Sequence, residues 1–326
     1  MQGSGRDKDE TVLAAWLYHV GGQSQEEIGQ ALKVSRFRVN RMLAEARDSG
    51  IIRVSIEHET TATLSLADAL RSAWGLSEVL VAPVPPGAQG DGHYARRAVG
   101  QVAAGFLLRV GSVTDGGPRS IGLGWGRTVA AMAQALTGLR NPNLSFVSLM
   151  GSLVRTSETS PFDVCARLAA LTGGQAIFMP APFLADTVAD CEVILRQRLV
   201  RETLQAARAV DHAIISVGEC TPDALIFASG ILTQEDSAAL AEAGVVADTT
   251  GMFFREDGTL AQTDLNRRAP SVALEDLRKC DVALLAAGQS KGAATRAVLR
   301  AGFINRLIID EELARSLAGA QEGDTE

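Results

Sequence analysis

From residue 79 onward, short apolar runs alternate with stretches of helical periodicity, and this alternation restricts the fold more than any other feature of the chain. The runs fall at residues 79–82, 120–123, 146–149, 176–179, 213–217, 282–287 and 306–309. Strands that are apolar throughout, rather than at every second position, need cover on both faces, which is the situation of a parallel sheet between helices. Residues 77–320 are therefore expected to form a doubly wound α/β domain. Pro83, Pro85, Pro86 and Gly87 break the chain after the first run, as a loop within that domain.

Residues 9–57 carry their own punctuation. Val12, Leu13, Trp16, Leu17 and Val20 recur at helical spacing, and Gly21 and Gly22 end that helix. Ser24, followed three residues later by Glu27, predicts a capping box opening a short second helix that ends near Leu32. Ser35 then caps a third helix with Val39, Met42, Leu43 and Ala46 on its apolar face, and Gly50 provides a left-handed stop. Residues 51–56 alternate as a strand would. Three helices and a strand outline a winged helix-turn-helix over residues 1–58. A connecting helix over 59–76, with Leu64, Ala67, Leu70 and Trp74 on one side, leads to the larger domain as a linker or as a dimer seam.

In a helix-turn-helix the second helix of the motif enters the major groove with its N-terminal side chains against base edges. Here Ser35, Arg36, Phe37, Arg38, Asn40 and Arg41 occupy that stretch. Guanidiniums fork onto guanine or phosphate, and asparagine pairs bidentately with adenine. The charge distribution agrees with this reading. The whole chain carries 31 Lys plus Arg against 38 Asp plus Glu, a net charge of −7, so it has no global attraction for nucleic acid or anionic membrane. Between Ser35 and Arg47, however, Arg36, Arg38, Arg41 and Arg47 face a single Glu45. The expected partner is operator DNA, reached locally.

Composition sets the remaining bounds. With 326 residues, 46% hydrophobic and 21% charged, the chain is long enough for about two globular domains. Cys165, Cys191, Cys220 and Cys280 are widely spaced and form no metal or redox motif, so buried thiols and no metal are expected. The polar N-terminus is no signal peptide, and no apolar run approaches the ~20 residues of a membrane span. A cytoplasmic protein without cofactor follows as the expectation.

Gly122, Gly124 and Gly126 lie between a strand and an Ala-rich helix, with Trp125 among them and Arg127 and Thr128 just after. Glycines at such a turn let backbone N–H groups approach an anion or sugar hydroxyls, and the helix N-terminus favours negative charge. A turn that merely packs helix on sheet reads the same way. A dinucleotide fingerprint does not fit, because its third glycine would fall at Arg127 and the strand before Met150 ends without an acidic residue for a ribose. Lys291, after the run 282–287, offers an ammonium at another sheet-edge loop.

Together, the segments IGLGWGRT (121–128), MPAPF (179–183), GVVADTTGMFFREDG (244–258), AAGQSK (286–291) and NRLIIDE (305–311), behind the helix-turn-helix, resemble the SorC family of bacterial transcriptional regulators. The resemblance implies an effector-binding domain similar in fold to phosphosugar isomerases and deaminases. It implies a pocket formed by Gly124, Trp125, Gly126, Arg127, Thr128, Gly151, Ser152, Asp248, Gln289 and Lys291. Gly151 and Ser152 stand where the family has a Gly-Gly pair, and Gln289 replaces a glycine. The implied function is a regulator, preferentially a repressor, of a carbohydrate or polyol operon. It acts as a homodimer or homotetramer and is released from DNA by a sugar, polyol or sugar phosphate. The alternative is a sugar-phosphate isomerase or deaminase with an accessory DNA-binding domain. Against it, His19, His58, His93 and His212 all lie outside the glycine turns, so no catalytic residue is expected.

Overall fold

The computed structural model describes residues 3–49, 51–52, 61–113, 119–152, 160–221 and 224–319. It divides into two compact units, Met1–Glu59 and Thr60–Glu326.

The smaller unit contains α1 (Gly3–His19), α2 (Gln25–Leu32) and α3 (Arg36–Asp48). Its core is Ala14, Ala15, Ile28, Val39, Met42, Leu43 and Ala46, with Leu17, Leu32 and Val34 packed against it. The capping box forms as the spacing requires. Ser24 Oγ accepts from the Glu27 N–H at 3.3 Å, and the Glu27 carboxylate accepts from the Ser24 N–H at 2.8 Å. Gly29 lies within α2 and faces the turn before α3, where a Cβ would lie 2.9 Å from the Val34 carbonyl oxygen. The apolar stripe of α1 is not its buried face. Val12, Leu13, Trp16 and Val20 are exposed, and α1 turns its small residues inward instead. α3 ends at Ser49 in a right-handed conformation, while Gly50 and residues 53–56 of the expected wing lie outside the described residues.

In the larger unit, α4 (Thr61–Trp74) leads into β1 (Glu78–Ala82) and packs on it with Ala67 and Leu70 buried. Then follow α5 (Gly92–Gly111), β2 (Arg119–Leu123), α6 (Arg127–Ala135), β3 (Leu144–Ser148), α7 (Pro161–Thr172), β4 (Gln175–Ile177), α8 (Val188–Arg196), α9 (Arg198–Arg208) and β5 (His212–Ser216). The chain continues through β6 (Gly218–Glu219), α10 (Leu225–Ala228), α11 (Gln234–Glu242), β7 (Val245–Thr249), β8 (Met252–Arg255), α12 (Leu265–Arg268) and α13 (Leu274–Leu277). It ends with β9 (Asp281–Ala286), α14 (Gly292–Arg300), β10 (Arg306–Asp310) and α15 (Glu311–Gly319).

Among the described residues, seven strands form a parallel sheet in the order β1-β10-β9-β5-β2-β3-β4. All seven correspond to apolar runs of the sequence. Alternate residues serve opposite faces: Val282, Leu284 and Ala286 of β9 join the core with α4, α9, α14 and α15, whereas Ala283 and Leu285 join the core with α5, α6 and α7. A separate antiparallel sheet, β6-β7-β8, has its own core of Trp125, Met150, Phe183, Ile226, Leu240 and Phe253. No periodic signal announces it, because its strands are short and lie within an irregular segment.

α5 and α6 meet closely. A Cβ built on Gly100 would lie 2.8 Å from both the carbonyl carbon and the Cβ of Ala131. Gly100→Ala would gain up to ~1 kcal/mol of helix propensity, yet it forces two backbones apart. Net destabilisation by about 1–2 kcal/mol is expected, seen as a lower urea midpoint at unchanged slope. A midpoint at or above wild type would show that the helices can part without cost.

Candidate functional site

α3 presents the first candidate surface. Ser35 Oγ accepts from the Arg38 N–H at 3.2 Å, which fixes the first turn. With Val39, Met42, Leu43 and Ala46 buried, the helix exposes Arg36, Phe37, Asn40 and Arg41, Phe37 to 80%. Arg38 differs from these. It is half-buried and donates to Glu10 of α1 at 3.1 Å, so its guanidinium braces α3 on α1.

The second candidate lies in the larger unit, at the C-terminal edge of the parallel sheet. β2 and β5 are neighbours, but the strands after β2 extend one way from this point and β9 and β10 the other. Loops leaving such a switch point diverge and open a crevice. A cavity of about 350 Å³ occupies it, near the lower end of ligand-pocket sizes. It is lined by the loops after β2, β5 and β9, by β7, and by Gly92 and Arg96 of α5.

Gly126 has φ +126°, a conformation that L side chains rarely adopt, and a Cβ there would lie 2.4 Å from Ser216 Oγ. Ser216 Oγ instead donates to the Trp125 carbonyl at 2.7 Å, tying the β2 loop to the end of β5. Trp125 packs on Phe183, ring centroids 5.2 Å apart, and anchors the loop in the core of the small sheet. The N-terminus of α6, with Arg127 and buried Thr128, thereby faces the cavity.

Asp248 of β7 is 3% exposed and stands opposite Gly218 of β6. A Cβ on Gly218 would lie 1.9 Å from Asp248 Oδ1, so the glycine makes room for the carboxyl. Burial pushes Asp248 up to about 7; Lys291 opposes the shift and Glu219 reinforces it. Lys291 Nζ donates to the Val217 carbonyl and lies 3.7 Å from Glu219 Oε2. Burial lowers the Lys291 pKa, against the pull of Glu219 and Asp248. Glu219 also accepts a hydrogen bond from Ser290 Oγ.

Of the residues expected from sequence, Trp125, Gly126, Arg127, Thr128, Asp248 and Lys291 converge on this cavity. Four do not line it. Gly124 packs against Ile215, where a Cβ would meet the Ile215 Cα at 3.3 Å. Gly151 lies beneath the Pro182 carbonyl, and Ser152 bridges to Pro182 in a backbone pairing. Gln289 opens into a neighbouring hollow with Glu311, Glu312 and Arg315. Arg96, Ser216, Glu219 and Ser290 line the cavity without having been anticipated. Among the described residues, no group of three or more His, Cys, Asp or Glu could hold a metal ion, and no helix is long and apolar enough to cross a membrane.

Residues 58–318 match the family described as "Putative sugar-binding domain". The chain is 32% identical over 319 residues to the erythritol catabolism regulatory protein EryD of Brucella abortus (strain 2308), covering 97% of this chain and 99% of that protein. It is 26% identical to the deoxyribonucleoside regulator of Bacillus subtilis (strain 168), with 96% and 98% covered. The full-length sorbitol operon regulator SorC from Klebsiella pneumoniae superposes with a TM-score of 0.75 at 23% identity over 94% of this chain and 97% of that one, a likeness of fold.

Asp248 gives a pH test. With a folded-state pKa near 7 against the ordinary 3.8, the folded protein binds the proton more tightly, so this group costs stability as pH rises from about 4 through 7. Asp248→Asn keeps the neutral form. Its stability relative to wild type is expected to increase across that window and level off above it, by urea unfolding at stepped pH. A flat difference would place the carboxyl in a solvated site.

Proposed function

Since the chain belongs to the SorC family of sugar-binding transcriptional regulators, we propose that it binds an operator through α3 and releases it when a sugar, polyol or phosphorylated derivative fills the cavity between β2 and β5. In this reading residues 1–58 read DNA, the helix within 59–76 connects, and 77–320 bind effector. The relatives' names, an erythritol catabolism regulatory protein and a deoxyribonucleoside regulator among them, support a ligand drawn from sugar or polyol metabolism. One observation carries the proposal: an Arg- and Asn-bearing helix and a polar cavity of sugar size occur in one chain.

The chemistry divides between the two units. Arg36, Asn40 and Arg41 project from α3, free of its buried face, and suit base edges or phosphates. In the cavity, Asp248 and Glu219 accept from hydroxyls, and the α6 N-terminus and its flanking cations favour an anionic group. The effector acts by binding the operator-incompetent state more tightly, which shifts the equilibrium away from DNA. The protein assembles as a homodimer or homotetramer, because one reader buries too little for tight binding and linked readers raise effective concentration. In this reading the cavity binds its ligand without turning it over. No histidine lines the cavity, and the buried acids and Lys291 are engaged with one another. Turnover of pentose or hexose phosphates by the purified protein would refute that statement and favour the isomerase or deaminase alternative.

DNA selected from a random pool by the full-length protein supplies the operator probe. Arg36→Ala and Asn40→Ala are each expected to weaken that probe by about 1–3 kcal/mol where they read a base, and to broaden the selected sequence. Unchanged anisotropy titrations and footprints for both would remove α3 from the interface. Lys291→Ala is expected to bind operator like wild type and to resist release by erythritol, sorbitol and their phosphates. Release at wild-type concentrations would separate the cavity from regulation.

A further inference from the structure

The cavity has a buried end and an open end. At the buried end the charges answer one another: Lys291 faces Glu219 and donates to Val217, Ser290 holds Glu219, and Asp248 is desolvated beside them. The open end is different. Arg96 of α5 is half-buried there and Arg127 of α6 is exposed. Neither guanidinium has a hydrogen bond or ion pair with another described residue.

The helix contact explains why two like charges meet. Gly100 touches Ala131 at the closest approach of α5 and α6. Arg96 precedes Gly100 by four residues, and Arg127 precedes Ala131 by four, so each arginine lies one turn from the contact on the same helix face. The contact therefore places both arginines on one cavity, close enough for the Arg127 charge to act on Arg96. Burial and the Arg127 charge lower the Arg96 pKa more than Asp91 and Glu219 restore it. Both carboxylates are committed elsewhere. Asp91 caps α5 by accepting from the His93 and Tyr94 N–H groups, and Glu219 takes Ser290 and Lys291.

We infer that Arg96 and Arg127 form a two-guanidinium clamp for the phosphate of a phosphomonoester effector, whose hydroxyls point toward Asp248 and Glu219. The inference rests on the effector-binding reading of this cavity and adds the ligand's charge and orientation. A neutral polyol would leave both guanidiniums unanswered, and a carboxylate would supply one charge for two. A phosphate dianion matches both forks, and the α6 N-terminus adds backbone donors. Arg96 thereby becomes a specificity-determining residue contributed by a helix outside every glycine turn.

The test is calorimetry on the full-length protein with inorganic phosphate, glycerol 3-phosphate, glycerate and glycerol as probes. Wild type is expected to bind glycerol 3-phosphate and inorganic phosphate at least about tenfold more tightly than glycerate, with no detectable heat from glycerol. Arg96→Gln and Arg127→Gln should each weaken both phosphates about tenfold or more. Arg96→Lys, which keeps the charge but loses the fork, should fall between. Arg97→Gln, an exposed neighbour outside the cavity, should bind as wild type does. Urea midpoints without ligand check that each variant folds, and Arg96→Lys carries the test if a glutamine variant does not. Equal affinity for phosphate and glycerate, absence of phosphate binding in wild type, or wild-type phosphate affinity in the folded arginine variants would each overturn the clamp. Operator binding is titrated in parallel. Its failure would sink the regulator reading while leaving the phosphate result to stand or fall by itself.

Discussion

The contact of Gly100 with Ala131 is the constraint on which the site depends. Ala95, Ala98, Ala103 and Ala104 on α5, with Ala130 and Ala133 on α6, are all buried. Small residues on both helices permit an approach that larger side chains would prevent, since interaxial distance follows the residues at the contact. Once that distance is fixed, so is the direction in which the first turn of α6 points. β2 sets the other end of the loop, and Ser216 ties its middle to β5. The Gly126 conformation is thus determined from three sides, as a backbone in a sparsely populated region must be to persist.

The cavity also shows how a polar site is made inside an apolar architecture. The parallel sheet supplies little of it from its strands, Ser216 at the end of β5 apart, because their apolar side chains fill the cores on either face. Polar groups enter from the loops at the C-terminal edge and from the antiparallel sheet, which brings Asp248 over the edge opposite a glycine. The small sheet is therefore a wall, held by Trp125 reaching across from the β2 loop.

The legibility of this arrangement in the sequence follows the range of the interactions involved. Caps at Ser24 and Ser35 act over three residues, and they formed as read. The parallel strands were visible because burial on both faces imposes an apolar run that each strand carries alone. Partners fixed by tertiary contact were not visible. Nothing near Arg96 in sequence says that the first half of α5 lies beside α6, and nothing near Glu219 says that a two-residue strand places it against Lys291. The same limit applies to Gly151, Ser152 and Gln289, which neighbour cavity residues in sequence but turn to Pro182 or to the hollow beside α15. On α1, helical spacing identified an apolar stripe but not which face would be buried, and tight packing selected the alanines.

The pairing of β1 with β10 bears on how the chain is made. Glu78 of the first strand pairs with Arg306 of the last, across 228 residues, and Ser77 donates its N–H to the Asn305 carbonyl at 2.8 Å. During synthesis, β1 emerges early and has no sheet neighbour until almost the whole chain has left the ribosome. Closing so long a loop is entropically costly before any contact compensates it, which makes such topologies slow to fold and exposes their edges meanwhile. α4, whose Ala67 and Leu70 cover β1, is available from the start. This helix covers a face of the strand while its edge waits for β10, and it still covers that face once the edge is paired.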